Sequence, residues 1–135
     1  MTRGRPHLRK DKKGVSAVEF ALILPLLIVL IVGIAQMGIL YLAHAGLRNL
    51  VADGARYASI SPRPTDAAIK ARLNQGGFGL TPTDLAQPAI TYGNTNGNEW
   101  ADISVSYTVR LNFIFWAPTP FQIQEKRRVF IYPTA

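Results

Sequence analysis

Between Phe20 and Leu42 the chain carries no charged residue and only one strongly polar side chain, Gln36. An α-helix rises about 1.5 Å per residue, so about 20 apolar residues cross a hydrocarbon layer about 30 Å thick. The apolar part of a cleaved secretory signal is usually only about 7–15 residues. The run therefore predicts a transmembrane helix over 15–42, and every other segment of the 135-residue chain has to be read around it. Six basic residues precede it (Arg3, Arg5, Arg9, Lys10, Lys12 and Lys13) against the single acid Asp11. The first charges after it are the isolated Arg48, Asp53 and Arg56. That bias predicts a cytoplasmic N-terminus and an extracytoplasmic C-terminal part in a single-pass topology.

The formal net charge of +7 would ordinarily point to nucleic acid. Here the excess sits in a short tail against an apolar run rather than on a folded face, so no nucleic-acid partner is expected. The absence of cysteine excludes a disulfide framework, a thiol nucleophile and a thiolate metal site. His7 and His44 lie far apart without a second ligand, and no metal or other cofactor is expected. Gly76-Gly-Phe-Gly79 lacks the lysine and following helix of a phosphate loop, and no Gly-x-Ser-x-Gly elbow or paired acidic motif occurs. The expectation is no enzyme and no small-molecule substrate.

Past Leu42 no turn signal intervenes. Ala43, Leu47, Leu50, Val51, Gly54 and Ala58 recur at helical spacing among Arg48, Asn49, Asp53 and Arg56, so the helix is expected to continue over 43–60 as an amphipathic stretch. Pro62 and Pro64 end it, and Pro25 is expected to kink it within the span. Residues 61–135 read as a small α+β domain. Thr65 or Asp66 caps a short helix that Gly76 and Gly77 stop. Strands follow over 89–92, 101–113 and 121–132, the second with strict alternation of Ile103, Val105, Tyr107, Val109, Leu111 and Phe113. Gly93 to Asn98 read as a hairpin loop. Such a meander needs a hydrophobic cover, which the amphipathic half of the long helix can supply. Trp100 and Trp116 read as packing residues, and Lys126-Arg127-Arg128 as a solvated strand edge that resists pairing.

The most informative segment is the helix mouth, Lys12-Lys13-Gly14-Val15-Ser16-Ala17-Val18-Glu19-Phe20. An acid at the mouth of a membrane span costs free energy, about 2.5–3.5 kcal/mol at the centre and less near the interface. In one account, Glu19 meets the positive end of the helix dipole, for about 0.3–1 kcal/mol. In the other, the chain is cut after Gly14, and the new α-ammonium of Val15 pairs with Glu19 of a neighbouring helix. Glycine suits a position that must enter a protease cleft extended, since it has no Cβ. The small residues Ala17, Ala21, Gly33 and Gly38 would let helices approach closely, as could Gly54 and Ala58, whose simpler role is a thin patch where the helix crosses its own sheet. Ala43-His44-Ala45 also fits an ordinary signal-peptidase site that would release a protein starting at Gly46.

The stretch Gly14-Val-Ser-Ala-Val-Glu-Phe-Ala21 resembles a type IV prepilin cleavage motif. With Pro25-Leu26, Gly33, Gly38 and Asp53-Gly-Ala-Arg-Tyr-Ala58, it is similar to the TadE-like pseudopilins of the Flp (tight adherence) pilus system. Phe20 stands where the major Flp pilins have tyrosine, which favours a pseudopilin over the main fibre subunit. The resemblance implies that 1–14 is a cleaved basic leader, with Gly14 its last residue and Val15 the mature N-terminus. It also implies that Glu19 and Phe20 serve processing or subunit alignment, and that the partners are the inner membrane, a prepilin peptidase and other pilins, in pilus assembly for surface adhesion. The alternative is a single-pass membrane protein whose outer domain binds a partner and has no role in a pilus.

Overall fold

A computed structural model describes residues 12–113 and 116–132, with side chains from Val15 onward. Its first element, α1, is one α-helix over Lys12–Ala58, followed by α2 over Asp66–Asn74 and a 3-10 turn at Pro82–Asp84. Three strands, β1 (Ala89–Thr95), β2 (Asn98–Val109) and β3 (Phe121–Phe130), complete an α+β layout. The sheet is antiparallel throughout in the order β1-β2-β3.

Two registers decide which faces meet. Along β2, Ala101, Ile103, Val105, Tyr107 and Val109 are buried, whereas Trp100, Ser104, Ser106 and Thr108 are half-buried on the opposite face. The buried row faces α1, which presents Ala43, Leu47, Leu50, Val51 and Ala58 from the stripe legible in the sequence, together with Ala55. Leu47, Val51, Ile103 and Val105 are at most 1% exposed, and burying a side chain of this size contributes about 1.5–3 kcal/mol. The first half of α1 shares none of this: Leu22, Leu26, Ile34 and their neighbours are exposed. The helix continues across Pro25 and ends at Ala58, where Ser59 Oγ donates to Arg56 O at 2.8 Å.

Helix α2 lies beside α1 and buries Ile69 and Leu73. Of the two candidate caps, Thr65 does the capping: its Oγ1 accepts from Ala68 N at 3.3 Å. Asp66 instead accepts from the Tyr92 hydroxyl, tying the start of α2 to β1. Gly54 is where α2 crosses α1, since a Cβ there would stand 2.5 Å from Leu73 Cδ2. The thin patch on the helix therefore serves α2 and not, as expected, the sheet. Asp53 and Arg72 bridge the same crossing at 2.9 Å.

The hairpin is tighter than expected. Strand β1 runs on to Thr95, β2 begins at Asn98, and Asn96 and Gly97 alone make the turn, both at positive φ. That is the geometry an Asn-Gly pair provides in a two-residue hairpin. Gly93, read as loop, lies within β1 because the Trp100 ring lies across it, where a Cβ would collide. Strand β2 stops at Val109 rather than Phe113, because the chain turns there onto α1, and β3 pairs only as far as Phe130.

On the outer face Asp102 is 3% exposed. Arg128, opposite it on β3, donates from Nε and Nη2 at 2.8 Å each, and Lys126 Nζ stands 2.8 Å away. The Arg128 guanidinium also covers the Trp100 ring at 3.8 Å. Two of the three cations of Lys126-Arg127-Arg128 are thus engaged, which corrects their reading as a merely solvated edge. The Arg128 and Lys126 hydrogen bonds hold the Asp102 carboxyl well below the usual carboxylate range.

Two outcomes follow from this packing. Replacing an interior helical glycine by alanine gains about 1 kcal/mol of helix propensity, while overpacking a filled core costs about 1–3 kcal/mol. Gly54→Val, which lacks alanine's propensity and adds two methyls, should therefore lower stability by about 1–3 kcal/mol, read as a shift in the urea midpoint of the detergent-solubilised chain. An unchanged midpoint would show that Leu73 yields freely. Because the carboxyl of Asp102 is acidified in the folded state, its stabilisation is complete above the unfolded value of about 3.9 and is lost as pH falls below it. Thermal melts from pH 6 downward should show Asp102→Asn less stable than the parent near neutrality, with the gap closing as the pH drops.

Candidate functional site

The residues singled out at the helix mouth all fall on α1. The Gly14–Val15 bond is itself helical, since α1 already includes Lys12 and Lys13, whereas the span was expected from Val15. Gly14, a weak helix former, is the one residue between the lysines and the apolar run, and the helix carries through it to include them. A protease that needs an extended strand there would have to unwind one turn.

Val15 and Phe20 are 61% and 59% exposed, and Glu19 is exposed beside them with no ion pair among the described residues. The arrangement brings Val15 and Glu19 one helical turn apart on one rod. An ammonium at Val15 and the carboxylate at Glu19 of the same chain are four residues apart, and either could reach an adjacent parallel rod. Nothing lies within 4 Å of a Cβ built on Gly33 or Gly38, so both remain open to close approach by another helix. By contrast Ala43 and Gly46 are buried in mid-helix, with the Phe78 carbonyl against Gly46, so the Ala43-His44-Ala45 motif sits within folded structure.

The lower end of the domain holds a contact that the sequence did not reveal. Gln36 Nε2 donates to Asn112 O at 2.6 Å, and Asn112 N donates to Gln36 Oε1 at 3.4 Å. The lone polar residue of the apolar run thus takes hold of the β2–β3 connection. Gln36 was conspicuous in the sequence, but its partner is backbone, and backbone leaves no signature in residue type. Trp116, expected to pack the domain, is 66% exposed and, among the described residues, stacks on Phe113 at 5.8 Å. Trp100 does pack, with its indole N–H donating to Thr95 Oγ1 at 3.0 Å.

For catalysis the described residues offer little to assemble. No group of three His, Asp or Glu that could hold a metal occurs among them. One groove of about 510 Å³ is lined by Ser59, Glu99 and Tyr132, with no histidine beside them. A second, of about 580 Å³ beside Gln36, is lined almost wholly by apolar side chains.

The geometry therefore reduces to one helix, long and apolar enough to cross a membrane, with an acid near its mouth and a domain folded on its far half. No curated protein and no solved structure matches the chain. A family model does, that of TadE-like protein, over residues 14–56. The match covers about a third of the chain, opening at Gly14 and closing at Arg56, so the segment from the helix mouth to the domain-bearing stripe is TadE-like.

Proposed function

We propose that the protein is a pseudopilin, a minor pilin-like subunit of a Flp-type tight-adherence pilus, stored in the bacterial inner membrane by α1 and matured by a prepilin peptidase. The observation that carries this reading is the rod itself. Its exposed apolar half opens with Gly14, Val15 and Glu19, runs without a break into the helix of the domain, and coincides with the TadE-like match.

In this reading the six basic residues before Val15 hold the N-terminus in the cytoplasm, and the sheet domain lies outside. Cleavage after Gly14 removes the basic leader and creates an α-ammonium at the mouth of the span. Neither that charge nor Glu19 has an inter-chain partner in an isolated chain. Both find one when rods associate side by side, because the ammonium of one chain can meet the carboxylate of its neighbour. Ala17, Ala21, Gly33 and Gly38 permit the approach. The protein acts by packing, with no catalytic residue and no cofactor, and its role is to take part in assembly of a fibre used for surface adhesion.

The decisive measurement is the N-terminus and mass of the membrane-bound chain, with and without a co-expressed prepilin peptidase. A peptidase-dependent start at Val15 is expected. An intact leader in the presence of active peptidase would instead favour a single-pass protein with a binding domain and no place in a pilus, and a start at Gly46 would make it secreted. Removing one partner of a buried ion pair costs about 3–5 kcal/mol. Glu19→Ala should therefore remain in the membrane yet be depleted from sheared pili or reduce piliation, quantified by immunoblot and electron microscopy. Normal piliation would count against the pairing.

A further inference from the structure

The folded domain does not stop where the amphipathic half of α1 begins. Its β2–β3 connection reaches down to Gln36, within the apolar run, where Asn112 N and O are both met by that one side chain. Next to this contact Phe113 and Trp116 stack, with the Trp116 ring largely exposed. Over the same length of α1, Met37, Leu40, Tyr41 and His44 form a groove with Phe121 and Ile123, and Tyr41 is 77% exposed. Large amphipathic aromatics are costly in contact with water but favoured at a membrane–water boundary.

The heights agree with such a boundary. From Gln36 to Tyr41 the rod rises about 7.5 Å. The polar layer on each side of a bilayer's hydrocarbon is about 5–7.5 Å deep. Below Gln36, the helix from Val15 to Ala35 is about 31 Å long, against a hydrocarbon thickness of about 30 Å. Below Met37 of that groove, Ile34 and Ile31 follow at helical spacing and are exposed as well.

We propose that the lower rim of the domain, formed by Tyr41, Phe113, Trp116 and Phe121, is seated in the phospholipid headgroup layer, with the Gln36–Asn112 contact setting its depth. The proposal rests on the membrane-spanning reading of α1 and makes it more specific. The hydrocarbon-spanning part is Val15 to Ala35, and residues 36–42, expected to be span, belong to the interface. The Gln36 amide then reaches the membrane already hydrogen-bonded to the domain.

The test is depth-dependent quenching of tryptophan emission in the full chain, reconstituted in phosphatidylcholine vesicles brominated either near the headgroup or near the acyl-chain end. Trp100 provides an internal reference, since it lies at the far end of β2 from Asn112. Shallow bromines should remove the share of the emission due to Trp116, deep bromines should remove less, and Trp116→Phe should abolish the effect. Insertion is measured separately, as protection of the Val15–Ala35 segment from added protease. Protected helix with unquenched Trp116 would overturn the seating of the rim and leave the span standing. Unprotected helix would overturn both. Quenching that disappears as chains are crowded in the vesicle would assign the rim to a second copy rather than to lipid.

Discussion

A three-stranded sheet with one apolar face cannot stay folded in water unless something covers that face. Here the cover is the second half of the same helix whose first half is built for lipid. Leu47 and Val51 are fully buried against the sheet, and Ala43, Ala55 and Ala58 let the helix backbone lie close to it. Leu47, Leu50 and Val51 form the middle of the stripe, with small residues on either side of them. The remaining order follows from that one contact. Helix α2 packs where Gly54 leaves room for Leu73, and the loop after it crosses Gly46, where a side chain would collide with the Phe78 carbonyl.

The outer face of the sheet solves a different problem. It is half-wet and bounded by two edges, yet it holds Asp102 almost entirely out of water. The bidentate grip of Arg128, the approach of Lys126 and the stacking of Arg128 on Trp100 all centre on one register pair, Asp102 and Arg128. Trp100 in turn lies over Gly93, so the clamp links all three strands. The other ion pairs, Asp53–Arg72, Asp84–Arg110 and Arg48–Glu125, are half or more exposed on at least one side and contribute little by themselves, though each joins parts of the chain far apart in sequence.

How legible the molecule was depends on whether a feature is repeated. The apolar run, the stripe from Ala43 to Ala58 and the alternation along β2 each repeat over several turns or residue pairs, so the helix, its buried face and the central strand could be read directly. Features decided by a single contact could not. Gly93 looked like loop because nothing local reports that a tryptophan seven residues on will lie across it. Leu111 and Phe113 continued the alternation of β2, but Gln36 draws Asn112 onto the helix, and that pairing spans 76 residues of sequence. Trp116 was read as core because large aromatics usually are, and its exposure depends on which side of the rod the connection crosses. At the helix mouth the motif was legible as spacing, whereas the helical state of the Gly14–Val15 bond was not, because the lysines before it propagate a helix as readily as they mark a tail.

One consequence concerns the way the rod and the domain are geared together. Between Leu26 and Ala58 no proline interrupts α1, and its far half is locked into the sheet, so no swivel separates the lipid-facing surface from the domain. The azimuth of the sheet about the rod is therefore set by helix phase alone. Adding one residue between Met37 and Leu42 would turn the domain by about 100° relative to Glu19 while lifting it only about 1.5 Å. Whatever surface the domain presents when rods pack side by side is accordingly encoded in the number of residues separating Glu19 from Leu47, a spacing in which length acts as an angle.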